Sequence, residues 1–265
     1  MNSGLFSLRR RTWLLGLAAL AAPFAQAQPV ATVAAASDLK FAIEELAAAF
    51  EKDGGPRIRV VLGASGALLT QILQGAPFHL FMSADEDLVF KLADAGRTPD
   101  RGQRYALGRL ALLVPEGSPL RPDGELKDLA AALRDGRLQR LAIANPAHAP
   151  YGRRAREALQ HAGLWDALQP HLVLGENVSQ AAQFALSGAT QGGIVAHSLA
   201  MAMTTAPALA QRSRFALIPA AWHQPLAQRM VLLNDAPAAA QAFHRYLASP
   251  AARAVLARHG FELPG

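Results

Sequence analysis

Cysteine does not occur anywhere in the sequence. Disulfides are thereby excluded, and so is a thioether-linked lipid anchor, so an exported form of this chain is expected free in solution. Long apolar runs are scarce as well. The run from Trp13 to Ala25 is broken by Pro23 and falls short of the roughly 20 apolar residues that cross a membrane, and nothing comparable follows it. A surplus of one charge is also lacking. The formal charge is +6, but Arg9, Arg10 and Arg11 sit at the extreme N-terminus, and the remaining Lys and Arg nearly balance the 20 Asp and Glu. These basic residues form no stripe, which argues against a nucleic-acid partner. The eight histidines show neither H-x-H nor H-x-x-x-H spacing, the arrangements that present two imidazoles to one metal. There is no fixed-period repeat, low-complexity tract or heptad run.

The N-terminus reads as an export signal. Three arginines precede the apolar run, and Ala25-Gln26-Ala27 supplies an A-x-A cleavage site, so residues 1–27 are expected to be removed near Ala27. Arg10-Arg11-Thr12-Trp13-Leu14 also resembles a twin-arginine motif, and by either route the expected destination is the periplasm.

Beyond residue 28, short aliphatic runs alternate with helical patterns. Val30–Ala34, Ile58–Leu62 and Leu80–Met82 read as strands. Leu39, Ile43, Leu46 and Phe50 recur at helical spacing, as do Leu68, Leu69, Ile72 and Leu73. The pattern restarts with strands at Arg109–Val114, Leu141–Ala144 and Leu172–Leu174 and helices over about 151–162 and 178–186. It ends with a strand at Met230–Leu233 and helices at Pro237–Leu247 and Pro250–His259. Such alternation predicts α/β architecture, in which ligands bind beyond the carboxyl ends of the strands.

Four strand-to-helix junctions share one chemistry: Ala36-Ser37-Asp38, Gly63-Ala64-Ser65-Gly66, Ala149-Pro150-Tyr151-Gly152 and Glu176-Asn177-Val178-Ser179. The first N–H groups of a helix have no intrahelical partner and sit at the positive end of its dipole. A helix start is therefore an anion site even without Lys or Arg. Ser37 and Ser65 add hydroxyls, Tyr151 a phenol or its backbone N–H, and Val178 a backbone N–H only. Taken singly, each junction is equally an ordinary cap or turn.

Together with Gln74-Gly75-Ala76-Pro77, Phe81-Met82-Ser83-Ala84-Asp85 and Gly193-Ile194-Val195, these segments, in this order, resemble the molybdate-binding proteins that feed ABC importers, within the type II periplasmic binding protein class. The resemblance spans nearly the whole chain after residue 28. It implies a two-lobed fold with two mixed sheets flanked by helices and a two-crossing hinge. Lobe 1 would comprise 28–110 with 229–265 returning to it, and lobe 2 would comprise 111–228, with crossings at Arg109–Val114 and Gln228–Leu233. It implies that molybdate or tungstate is held through its oxygens by Ser37, Ser65, Tyr151 and Val178, with Asp38 and Gly66 or Ala64 as further backbone donors. It also implies an inner-membrane ABC permease as partner, a monomer, no cofactor beyond the ligand and no catalysis. Sulfate and phosphate are the alternative ligands. Two departures stand out: Ala196 where some relatives place a binding Tyr, and His79 where relatives usually carry Asp. Asp38, at a helix start, is expected to face solvent more often than a ligand.

Other classes fit less well. Gly63-Ala64-Ser65-Gly66-Ala67 fails the nucleophile elbow G-x-S-x-G at its last position. A transcription factor with a ligand-sensing lobe of this fold would need an N-terminal DNA-binding helix pair, and this chain has an export signal there instead.

Overall fold

The computed structural model describes residues 30–205 and 213–264, so the expected signal segment lies outside the described residues. The chain forms two five-stranded mixed sheets, each flanked by helices.

In the first lobe, β1 (Ala31–Ala36) is a run of small apolar residues almost wholly buried. Coverage on both faces marks a central parallel strand, and β1 pairs in parallel with β2 (Ile58–Gly63) and β3 (Leu80–Ser83). Alternate side chains of β1 serve different cores, as the two-residue period of a strand requires. Val33 and Ala35 pack with α1 (Lys40–Lys52) and the two C-terminal helices. Ala34 packs with α2 (Ser65–Leu73) and α3 (Glu86–Asp94). His79 closes the edge of this pairing: its Nδ1 accepts the Thr32 N–H at 2.9 Å. The departure at this position is thus a local strand-end contact. β4 (Gln103–Gly108), whose Gln, Arg and Tyr hide it from an aliphatic pattern, completes the sheet on one edge.

The second lobe repeats the plan. β5 (Leu110–Pro115) follows β4 after the single residue Arg109. Then come α4 (Lys127–Arg134), β6 (Leu141–Ala144), α5 (Pro150–His161), the single-turn α6 (Trp165–Leu168), β7 (Leu172–Gly175), α7 (Val178–Leu186), β8 (Gly192–Ala196), α8 (His197–Thr205) and β9 (Ser213–Leu217). β6 pairs in parallel with β7 and β8, whereas β5 runs antiparallel to β8 and β9. The chain returns to the first sheet as β10 (Leu226–Leu232), antiparallel to β3 and β4, and ends in α9 (Ala238–Leu247) and α10 (Pro250–Arg258). Ser249 caps α10, accepting the Ala252 N–H ahead of Pro250 at the first helical position. In each sheet the reversed strand is the one that arrives from the other lobe.

The crossings differ from the sequence-based expectation. The first occupies only Arg109, because Leu110 already pairs with Ala196. The second lies in 218–225, ahead of the expected Gln228–Leu233, because Leu226 already pairs with Gly108 in the first sheet. The polar pair Gln228-Arg229 looks like a strand end but sits inside β10, at a register shift in its pairing with β4. Gln228 is fully buried, and Arg229 is held by Glu86 at 2.9 Å. The two crossings therefore run side by side.

Candidate functional site

All four junctions lie at the carboxyl ends of parallel strands, and they meet. Ser37, Asp38, Ser65, Tyr151 and Val178 line one cavity between the lobes, walled by Ala36, Gly63, Ala64, Ala84, Ala149 and Pro150. No Lys, Arg or His lines it. Its volume is about 10 Å³, the scale of one or a few compact atoms and far below the roughly 300 Å³ and more that organic ligands occupy.

Local sequence explains each wall. The β1 strand ends in a 3₁₀ turn, Ser37–Leu39, which leads into α1 with Ser37 and Asp38 buried. Ser65 is the first residue of α2, Tyr151 the second of α5 behind Pro150, and Val178 the first of α7, where the Asn177 side chain accepts the Gln180 N–H. Early N–H groups of three helices and the positive ends of their dipoles are thus gathered around one point. Gly152 permits this at α5, since a Cβ there would lie 2.2 Å from the Ala144 carbonyl oxygen.

Both serine hydroxyls accept backbone hydrogen bonds. Ser65 Oγ accepts from Ala84 N–H at 3.0 Å, and Ser37 Oγ accepts from Ser179 N–H across the cleft at 3.3 Å. A hydroxyl that accepts in this way still has its own proton to donate.

Two expectations need correction, and one open choice is narrowed. Asp38 does not face solvent; it is 1% exposed. Its Oδ2 accepts from the Tyr151 hydroxyl at 3.0 Å and from Gln228 Nε2 at 2.6 Å. The Tyr151 phenol is therefore committed to Asp38, which leaves its backbone N–H as the group available to a ligand. Gly66 is not a free donor either, because its N–H donates across the cleft to the His148 carbonyl oxygen at 3.0 Å.

Sequence reading also missed two members of the site's support, Gln228 and Tyr105. The Tyr105 hydroxyl donates to Gln228 Oε1 at 2.7 Å, and Gln228 Nε2 lies 3.2 Å from the Tyr151 oxygen as well as bonding Asp38. The only local hint was a Gln inside an apolar strand. Gly108 at the crossing makes room for this network: a Cβ there would lie 2.3 Å from the Tyr151 hydroxyl.

Burial raises the Asp38 carboxyl to about 6, against the opposing hydrogen bonds from Gln228 and Tyr151. The N–H groups of Asp38 and Leu39 favour the charged form from nearby, but Oδ1 has no hydrogen-bond partner. Burial and the Asp38 charge push both phenols, Tyr105 and Tyr151, well above their ordinary value. The lobes are further joined by Ser198 Oγ donating to the Asp38 carbonyl oxygen at 2.9 Å and by Arg153 against Asp85 at 2.8 Å.

Comparison with known proteins places this geometry. The family model for bacterial extracellular solute-binding proteins matches residues 31–262. The chain is 34% identical over 245 residues to the molybdate-binding protein ModA of Rhodobacter capsulatus, covering 91% of each. It is 36% identical over 263 residues to ModA of Azotobacter vinelandii, covering 97% of this chain and 99% of that one. The solved periplasmic molybdate-binding protein of Azotobacter vinelandii matches with a TM-score of 0.79 at 31% identity, over 89% of this chain and 100% of that one. Sequence and fold agree over nearly all of the described residues, and the chain belongs to the bacterial extracellular solute-binding protein family.

Proposed function

We propose that this protein is the substrate-binding component of an ABC importer and captures molybdate or tungstate between its lobes. The observation that carries this reading is the convergence of helix starts from both lobes on one small cavity that no cationic side chain lines. Helix N-termini and hydroxyls suit a compact dianion. Ser37 and Ser65 donate their hydroxyl protons to its oxygens. The backbone N–H groups of Tyr151 and Val178 close on it from the other lobe, with Asp38 N–H as a further donor. The contacts are hydrogen bonds to oxygen atoms, and no side chain coordinates the metal centre.

Because the donors come from both lobes, capture is coupled to hinge closure at Arg109 and at 218–225. The closed form then docks on a permease in the inner membrane, with the protein acting in the periplasm as a monomer, without cofactor, nucleic acid or catalysis. Among the described residues no helix is long and apolar enough to cross a membrane.

Titration calorimetry against molybdate, tungstate, sulfate and phosphate tests the reading. Tight binding of the first two with little response to sulfate is expected, and a preference for sulfate or phosphate would move the protein to another anion. A hydrogen bond to a charged group is worth about 1.5–3 kcal/mol. Ser37→Ala and Ser65→Ala are therefore each expected to weaken molybdate binding by about one to two powers of ten. Unchanged affinity in both would remove the serines from the site.

A further inference from the structure

The one charged side chain lining the anion cavity has the wrong sign. Asp38 is buried, and its Oδ2 accepts from Tyr151 and Gln228, whereas its buried Oδ1 makes no hydrogen bond, with the N–H groups of Asp38 and Leu39 nearby. A carboxylate beside a dianion in a water-poor cavity is repelled more strongly than it would be in solvent. Protonation removes the repulsion. The proton belongs on Oδ1, since Oδ2 already receives two donors, and it turns an unsatisfied acceptor of a cavity-lining residue into a donor.

We propose that Asp38 is the selectivity residue of this site, taking up a proton when the oxyanion binds, so that the protein captures a fully deprotonated anion together with one proton. The proposal rests on the anion-binding reading and adds its proton linkage. Buried neutral, Asp38 serves as a donor and disfavours an anion that brings its own acidic proton; buried charged, it opposes the dianion. The same residue thereby sets both the preference and the pH range of capture.

No neighbouring group offers itself for the same role. The two phenols facing Asp38, Tyr151 from α5 and Tyr105 from β4, are held in their neutral form. Helix α7 carries no charged residue. Helix α1 contributes Lys40, Glu44, Glu45, Glu51 and Lys52, with Glu45 engaged by His259 at 2.8 Å. Helix α8 contributes His197, whose Nδ1 lies 3.0 Å from the Gly260 carbonyl oxygen and whose basicity burial lowers. Next to Gln228 on β10, Arg229 is paired with Glu86. The side chains that hydrogen-bond the Asp38 carboxyl are Tyr151 and Gln228, and none of these charged groups is among them.

The test is calorimetric titration of the protein with sodium molybdate and with sodium sulfate. It runs from about pH 6.5 to about pH 8.5, in buffer pairs that differ in ionisation enthalpy, alongside Asp38→Asn. For wild type, uptake approaching one proton per anion is expected, with affinity falling about tenfold per pH unit through this range. In Asp38→Asn the uptake should vanish and the affinity become flat with pH. Tight wild-type binding without proton uptake overturns the proposal while leaving the anion reading intact, and so does uptake that persists undiminished in the variant. A preference for phosphate without uptake also overturns it, since Asp38 would then be accepting the ligand's proton. Failure of both proteins to bind any oxyanion overturns the anion reading and this proposal together.

Discussion

Gly66→Val is expected to weaken molybdate binding by about tenfold to a hundredfold while changing the melting temperature of the ligand-free protein little. A Cβ at Gly66 would lie 2.4 Å from the His148 carbonyl oxygen and 3.1 Å from its carbonyl carbon, both backbone atoms of the opposite lobe. The obstruction falls across the cleft, so the easiest relief is to hold the lobes apart, which also breaks the Gly66 N–H bond to His148. Forcing extra atoms into a packed contact costs about 1–3 kcal/mol, and in this position the whole cost falls on closure. Gly152→Ala is the contrasting case. Its Cβ would meet Ala144 O at 2.2 Å within one lobe, between α5 and β6, so that change is expected to lower stability itself. Calorimetry for affinity, small-angle scattering for closure and thermal melts for stability separate the two. Wild-type affinity in Gly66→Val would show that the lobes meet differently at this contact.

The contrast between local and distant signals explains what the sequence made legible. The junctions announce themselves through small residues, caps and the α/β alternation, all readable within a few positions. That Ser37, Ser65, Tyr151 and Val178 belong together was implied only by the family resemblance, and it is the fold that brings them to one cavity. The support behind them is different. Asp38 meets Tyr151 across 113 positions and Gln228 across 190, and Tyr105 meets Gln228 across 123. No periodicity encodes such encounters. A buried polar side chain is stable only if its partners are present, and those partners emerge once the two crossings bring β4 and β10 side by side. The same limit misplaced the return crossing. Gln228-Arg229 resembles the polar end of a strand until the tertiary partners that bury it are known.

The Asp38 network also carries a large stability effect that needs no ligand to observe. The Asp38 carboxyl sits at about 6 in the folded protein against an ordinary 3.8. Between those values the folded protein holds a proton that the unfolded chain has released, so stability falls as pH rises through the window and the loss is complete above about pH 7. The difference corresponds to on the order of 3 kcal/mol. Asp38→Asn keeps a carbonyl oxygen for the Tyr151 and Gln228 donors and never ionises. The variant is expected to melt roughly 5–10 °C above wild type near pH 8 and close to it near pH 4. Glu45 and Glu86, whose values are lowered by hydrogen bonds from His259 and from Arg104 and Arg229, shift stability the other way, supporting the fold above the carboxylate range and losing that support in acid. Both proteins share those terms, so the difference between their melting curves isolates Asp38. A variant no more stable than wild type near pH 8 would mean that the buried carboxylate is better solvated than its surroundings indicate. A gap that opens between about pH 4 and about pH 7 and then stays constant would show that this fold retains, at its binding site, a charge that weakens it.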